Sequence, residues 1–258
     1  MTVPGRPNYA RYYQASITGQ ACLPEDREVL MALREASIQP AVPEVENRAF
    51  LTRAVAHLAH DEGIRQFLDI GCGHPAWGNV HEVAGRFQSE AVVAYVDCDR
   101  DVVDRWRALM PDAGRVVAVE RDLRCPRSIL DCPEVCSLID FNEPVGLLLS
   151  GVLHLVADED DPAGIVDTLV DRLSPGSFLV VSQATGDSQD PATVAEVIRI
   201  AAKAGVEITM RSREQATRFF RDVDLLEPGL VLAPDWRPAR APTHGPSGWI
   251  IGGAGRKP

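Results

Sequence analysis

A chain of 258 residues, 45% hydrophobic and 24% charged, holds enough apolar material for one large α/β core or a core with a modest accessory lobe, and this composition excludes wholesale disorder. The formal net charge of −11 at pH 7, with no Lys/Arg-rich run, opposes a polyanionic partner, so a small molecule is expected and nucleic acid is not. No run approaches the roughly 20 apolar residues of a membrane span, and the first residues, Met1 to Pro7, lack an apolar signal core, so a cytoplasmic protein without membrane contact is expected.

In chain order, residues 1 to about 23 are weakly patterned, with Tyr9, Tyr12 and Tyr13 as their concentrated aromatics. Two readings stand for them: a flap over a ligand, or an arm packed on the body. A helix starts at Pro24, carries Val29, Leu30 and Leu33 as its apolar stripe, and ends before Gln39-Pro40. A second helix follows Pro43, with Val45, Phe50, Leu51, Val55 and Leu58 at helical spacing. Residues 1–62 are therefore expected to form a helical segment that covers the substrate, and residues 63–258 the core.

The stretch Gln66 to Gly78 is a short apolar run that ends in an acid and opens into glycines, as a buried strand does when it delivers its end to a ligand. Asp69 would repel a dinucleotide pyrophosphate and would attract an ammonium group. After Gly71-Cys72-Gly73 the third glycine of a dinucleotide fingerprint is replaced by Ala76, which argues against an NAD-dependent oxidoreductase. A tight strand-to-helix turn without a ligand is the plain alternative. The pattern Asp69-x-Gly71-x-Gly73 resembles motif I of class I S-adenosylmethionine (SAM) methyltransferases, in which the acid and the loop backbone hold the methionine end of the cofactor.

A helix is predicted from Gly78 through Val80, Val83 and Phe87, then a buried strand over Ala91 to Asp97. Asp97 lies 24 residues past Gly73, the range in which nucleotide-binding α/β folds place a carboxylate for the ribose hydroxyls. Asp99 competes for that role but suits the N-cap of the helix Val102 to Leu109, so Asp97 is given the ribose and Asp99 the cap. The third strand is Arg115 to Arg121. At its end Asp122 can accept the adenine amine while Leu123 covers the ring, or Asp122 can cap the next helix, Pro126 to Cys136.

Pro144 to Ser150 is the fourth strand and leads into Gly151-Val-Leu-His154. Asp158 to Asp161 is read as a solvated helix entrance for Ala163 to Leu173. The fifth strand is Ser177 to Ser182, followed by a helix over Pro191 to Ala204, a short strand over Val206 to Met210 and a helix over Ser212 to Phe220. Arg211, Arg213, Arg218 and Arg221 are interleaved with acids and read as a solvated helix face. An extended segment, Leu225 to Leu232, and a last strand, Gly248 to Gly252, close the chain. This alternation means a doubly wound, mostly parallel sheet covered on both faces.

Six cysteines include no Cys-x-x-Cys pair, and Cys125, Cys132 and Cys136 have no nearby histidine, so no metal site is expected and the thiols are read as reduced. Cys72 and Cys98, beside the two proposed cofactor segments, are read first as space-filling.

The words Asn47-Arg48-Ala-Phe50-Leu51, Gln66-Phe-Leu-Asp-Ile-Gly71, Gly78-Asn-Val-His-Glu-Val-Ala84, Tyr95-Val-Asp97, Asp122-Leu-Arg124, Val152-Leu-His154, Asp160-Asp-Pro-Ala-Gly-Ile-Val166, Glu227-Pro-Gly-Leu230 and Gly255-Arg-Lys-Pro258 together resemble an actinobacterial-type family of SAM-dependent methyltransferases of unknown specific function. The resemblance covers nearly the whole chain. It implies a class I, Rossmann-like sheet of seven strands and a SAM cofactor, with S-adenosylhomocysteine (SAH) as product, held by Asp69, Gly71, Gly73, Asp97 and Asp122. Cys72, Asn79, Cys98, Leu123 and Ser150 complete the expected cofactor set. Methylation of a small molecule in natural-product biosynthesis is the implied activity, and a homodimer is compatible with it. A SAM- or SAH-binding protein of the same fold without methyl transfer is the alternative.

The segment Tyr13 to Cys22 keeps Gly19 but lacks the acid and the lysine of the family pattern, and His74 and Trp77 stand where an aliphatic and a small residue are expected. These departures make Tyr12, Tyr13, His74 and Trp77 the candidate substrate residues. His154, at the strand-four end that in such folds faces the transferable methyl group, is the candidate general base. A packed core histidine is the competing reading for it, and His74 and His81 are its rivals.

Overall fold

The computed structural model describes residues 7–19, 23–37, 43–110, 114–240 and 245–258. The weakly patterned start contains a helix, α1 (Tyr9–Thr18): the Asn8 side chain accepts from the Arg11 N–H at 3.0 Å, and Gly19 ends the helix in the left-handed region at φ 68°. Next come α2 (Pro24–Ser37) and α3 (Pro43–His60), whose inward face buries Phe50, Leu51, Ala54, Val55 and Leu58. Of the sequence expectations, Cys22 and the Gln39-Pro40 boundary lie outside the described residues.

The core alternates strands and helices. It runs β1 (Gln66–Ile70), α4 (Val80–Gly85), β2 (Val92–Asp97), α5 (Arg100–Leu109), β3 (Val116–Glu120), α6 (Pro126–Leu130), α7 (Pro133–Leu138), β4 (Val145–Ser150), α8 (Pro162–Asp171), β5 (Phe178–Ala184), α9 (Pro191–Lys203), α10 (Arg213–Thr217), β6 (Asp224–Leu225), β7 (Val231–Leu232) and β8 (Ile250–Arg256). The sheet order is β3-β2-β1-β4-β5-β8-β6, with β1 to β5 parallel and β8 antiparallel to β5. Strands β6 and β7 are two-residue pairings that follow one another along the free edge of β8, so together they occupy the seventh place in the sheet. Strand order reverses between β1 and β4, and that switch point opens a crevice above the strands' C-terminal ends.

Side chains alternate across the sheet as the strand period of two requires. Leu68, Ile70, Leu147, Leu149, Leu179 and Val181 face one core with α6, α7 and α8, while Phe67, Val93, Tyr95, Leu148 and Val180 face the other with α3, α4 and α5.

Several boundaries differ from the sequence reading. The helix expected over Pro126 to Cys136 is broken into α6 and α7, because Pro133 has no N–H to continue it. Val206 to Met210 is not a strand. It is an extended connection pinned by the Thr209 N–H to the His154 carbonyl at 2.8 Å. The last strand begins at Ile250 and runs to Arg256, further than expected. Arg211 is not on a solvated face: it is 4% exposed, donates to the Leu153 and Val156 carbonyls at 2.8 Å each, and pairs with Asp158 at 2.7 Å. Asp158 therefore anchors Arg211, while Asp161 caps α8 by accepting from the Gly164 N–H at 3.1 Å.

Candidate active site

Two adjoining cavities open over the switch point. The first, about 410 Å³, lies on the glycine loop between β1 and α4 and on the ends of β2, β3 and β4. The second, about 290 Å³, lies between α1 to α3 and the ends of β4, β5 and β8. Tyr9, Tyr13, Asn47 and Gly151 line both and form the partition between them.

In the first cavity β1 delivers Asp69, which is 3% exposed. Burial pushes its carboxyl up to about 7, opposed by the Arg48 charge and assisted by Asp97. Among the described residues no hydrogen bond or ion pair engages this carboxylate. Gly71 follows at φ 73°, and a Cβ there would come within 2.4 Å of Val152 Cγ2, so only glycine can make this turn against the wall of the cavity. The Gly71 and Cys72 N–H groups both donate to the Val96 carbonyl, at 2.8 and 3.2 Å, which fixes the loop to β2.

Asp97 sits at the end of β2 with one oxygen accepting from the Gly73 N–H and the other from the Asp99 N–H, each at 2.9 Å. It thus splints the glycine loop and lines the cavity. Burial, as the largest cause, raises its carboxyl above the ordinary aspartate value. Asp99 accepts from the Asp101 N–H at 3.0 Å and caps α5, as the sequence reading assigned, and it also accepts from Asn8 Nδ2 at 2.7 Å. Asp122 and Leu123, expected at the adenine, and Cys98 line the first cavity. Asp122 does not cap the following helix: its carboxylate receives Arg124, with the shortest contact at 2.6 Å, and that guanidinium holds it below the usual carboxylate range.

Ser150 lines the first cavity, with its hydroxyl 3.0 Å from that of Ser182 and 3.3 Å from Asn47 Oδ1. Asn47 is the hub of the partition. Its Oδ1 accepts from Ser150 and Ser182 and its Nδ2 donates to the Tyr13 hydroxyl at 2.8 Å, which in turn donates to the Glu44 carbonyl at 3.2 Å.

The remaining expected residues separate. Asn79 lines neither cavity. It is buried at the start of α4, where Oδ1 accepts from Arg48 Nη2 at 2.9 Å and from the Ala76 N–H at 3.1 Å, so it acts on the first cavity through Arg48. Trp77 also lines neither: its ring is 42% exposed and its indole N–H donates to the Ile17 carbonyl at 2.9 Å, tying the glycine loop to α1. His74 lines the first cavity rather than the second, buried, with Nε2 3.7 Å from Asp101. Burial lowers its pKa. Tyr12 lines the second cavity and is 2% exposed.

His154 lines the second cavity and is 2% exposed. Its Nε2 is 2.8 Å from the Tyr9 hydroxyl, and its Nδ1 has no partner among the described residues. Burial, with the Arg211 charge second, pulls its pKa down to about 4, so the imidazole is neutral near pH 7. His81 lies at the start of α4 against Tyr95, with Nδ1 2.8 Å from its hydroxyl, and lines neither cavity.

Tyr9, Asn47, Arg48 and Gly151 were not singled out as site residues from the sequence. The signal for Asn47 and Arg48 was their place in a family word, and for Tyr9 its place in the tyrosine cluster.

A parallel sheet of this order, with a glycine cradle beside one acid on β1 and a second acid at the end of β2, defines the class I SAM-dependent methyltransferases. The residues fit the cofactor: the buried Asp69 carboxylate, unengaged among the described residues, would suit its ammonium group, and the space above Gly71 admits no side chain. The sequence profile of the S-adenosyl methyltransferase family matches residues 4–258, and the chain belongs to that family of SAM-using enzymes. It is similar to a DUF574 family protein from Streptomyces avermitilis MA-4680 (37% identity, 98% of each chain, TM-score 0.92). It is likewise similar to a protein from Thermobifida fusca YX described as a candidate methyltransferase (34% identity, 98% of this chain and 95% of that one, TM-score 0.90). At 12% identity a SAM-dependent methyltransferase from Anabaena variabilis ATCC 29413 shares the fold (TM-score 0.53, 100% of this chain and 99% of that one). No functionally curated protein matches the sequence.

Proposed function

We propose that the enzyme methylates a small molecule held in the second cavity, in the natural-product metabolism of an actinobacterial cytoplasm, with residues before about 62 covering the site. The observation that carries this reading is the partition: two cavities of ligand size share Tyr9, Tyr13, Asn47 and Gly151, so occupants of the two meet across it. No helix among the described residues is long and apolar enough to cross a membrane.

SAM, when bound, supplies an electrophilic methyl group on a sulfonium. Asp69 holds its ammonium, Asp97 the ribose hydroxyls, and Asp122 with Leu123 the adenine. What the chain adds is alignment. Asn47 fixes the Tyr13 hydroxyl, and neutral His154, taken as the tautomer with its hydrogen on Nδ1, accepts the Tyr9 hydroxyl hydrogen at Nε2. The Tyr9 oxygen is then left as an acceptor in the wall common to both cavities, where it can take a hydrogen from the acceptor's reacting atom and aim that atom's lone pair. His154 acts through Tyr9.

Calorimetry with the full-length protein tests the first half and mass spectrometry of candidate small molecules incubated with SAM the second. Binding of SAM and SAH, with product gaining the mass of one methyl group, is expected. A correctly folded protein that binds neither would overturn the reading.

A further inference from the structure

The second cavity contains an acid that the fold does not use. Glu44, in the first turn of α3, lines it together with the rings of Tyr9, Tyr12, Tyr13 and Trp249. Glu46, in the same turn, is engaged structurally, accepting from the Ser247 N–H at 2.7 Å and from its hydroxyl. The Glu44 side chain, by contrast, has no ion pair or hydrogen bond to another residue's side chain among the described residues. Arg34 on α2 also lines the cavity; it is exposed and forms no ion pair with Glu44 among the described residues, and its charge, a smaller influence than burial, favours the ionised acid. The tyrosine rings are mutually braced: Tyr9 meets Tyr12 edge-on at 5.0 Å between centroids and Tyr13 at 6.0 Å, so the cavity has a fixed aromatic wall.

A carboxylate with no ion pair of its own among the described residues, in a cavity lined by four aromatic residues and with only the charge of exposed Arg34 acting on it from the same cavity, is complementary to an ammonium group: the acid gives a charge-assisted hydrogen bond and the rings a cation–π attraction. We propose that the second cavity binds a primary or secondary amine as its ammonium form, with the Glu44 carboxylate as counter-ion and Tyr9, Tyr12, Tyr13 and Trp249 as walls, and that this nitrogen is the methyl acceptor. The proposal rests on the methyl-transfer reading above and narrows it to N-methylation.

The step balances. The ammonium gives one proton to the Glu44 carboxylate, whose proton affinity burial raises. The freed nitrogen lone pair forms the N–C bond as the C–S bond breaks and its electron pair stays on sulfur, which becomes a neutral thioether. The product leaves as the methylated ammonium, and Glu44 returns its proton to solvent.

The test uses the full-length protein with SAH filling the first cavity, titrated with three probes of one shape: 2-phenylethylamine, 2-phenylethanol and 3-phenylpropanoate. The amine is expected to bind about tenfold tighter than the alcohol and the carboxylate weakest, the difference being one charge-assisted contact. Glu44→Gln is expected to erase the preference for the amine while SAH affinity is unchanged, which also reports that the variant is folded. Equal or tighter binding of the alcohol or the carboxylate to the unaltered protein overturns the proposal, as does an amine preference that survives Glu44→Gln. Failure of SAH itself to bind would instead remove the methyltransferase reading on which the proposal stands.

Discussion

The Tyr9 hydroxyl stands 2.8 Å from His154 Nε2, with the two rings edge-on at 5.7 Å, and so joins the first helix of the chain to the segment that leaves β4. A histidine with its pKa near 4 is a weak base on its own. It is an adequate acceptor for a phenol hydrogen, and the arrangement places the phenol, not the imidazole, in the wall between the cavities.

Tyr9→Phe keeps the ring and removes the hydroxyl, and His154→Ala removes the group behind it. Each is expected to lower turnover, His154→Ala by about 10²-fold, with SAM affinity unchanged. The double variant should be no slower than the worse single one, because both changes break the same contact. Steady-state rates with calorimetric SAM affinities check this; rates that fall additively would separate the two residues.

If Asp69 holds the cofactor ammonium as proposed, cofactor binding is expected to depend on pH. An ordinary aspartate titrates near 3.8, and this one near 7. The folded protein therefore keeps a proton that the unfolded chain has lost, so this site's contribution to stability is full below 3.8 and is lost as the pH rises through about 7. A cationic ligand restores the charged form and expels the proton. Calorimetry at pH 7 in buffers of different ionisation enthalpy should show proton release on SAM binding. Affinity should be about tenfold weaker one pH unit below the Asp69 value than on the plateau above it. Asp69→Asn should bind weakly with no such slope.

Asp97→Ala removes two loop splints and, on the proposed assignment, the ribose acceptors together. SAM affinity is expected to fall by about 10²-fold, as for loss of two charge-assisted hydrogen bonds, with thermal stability lowered less than cofactor binding. Unchanged affinity in a folded variant would reject the ribose assignment.

Gly71→Ala meets two obstacles, a positive φ and the Val152 side chain at 2.4 Å. Loss of SAM binding is expected, with a melting temperature reduced by backbone strain. Adding Val152→Ala opens the space but leaves the backbone strain, so it should recover part of the stability. Full recovery would mean that the φ requirement is unimportant.

The sheet and the place of two acids at the ends of β1 and β2 were legible because they depend on local pattern. Asp69 and Asp97 each end an apolar run, and the turn after Asp69 needs glycine. The second cavity was not legible, because its wall is assembled from Tyr9, Glu44, His154, Met210 and Trp249, residues brought together only by the packing of the helices before β1 against the ends of β4, β5 and β8. Arg211 shows the same limit: among neighbouring acids it looks solvated, and only the fold supplies the two carbonyls, more than fifty positions away, that bury it. Trp77 and Asn79 were read as ligand contacts because they stand beside the glycine loop. Sequence proximity there reflects a turn whose side chains point back into α1 and α3.

Because one wall of four residues serves both cavities, an occupant of one that shifts this wall would link the two binding equilibria. Any factor by which an occupant of the first changes affinity in the second must be returned, in the same ratio, by an occupant of the second acting on the first. Constants measured for either ligand alone would then describe a different wall from the one that both ligands meet together. An inhibitor shaped for the second cavity would then carry in its potency a record of how much cofactor is present.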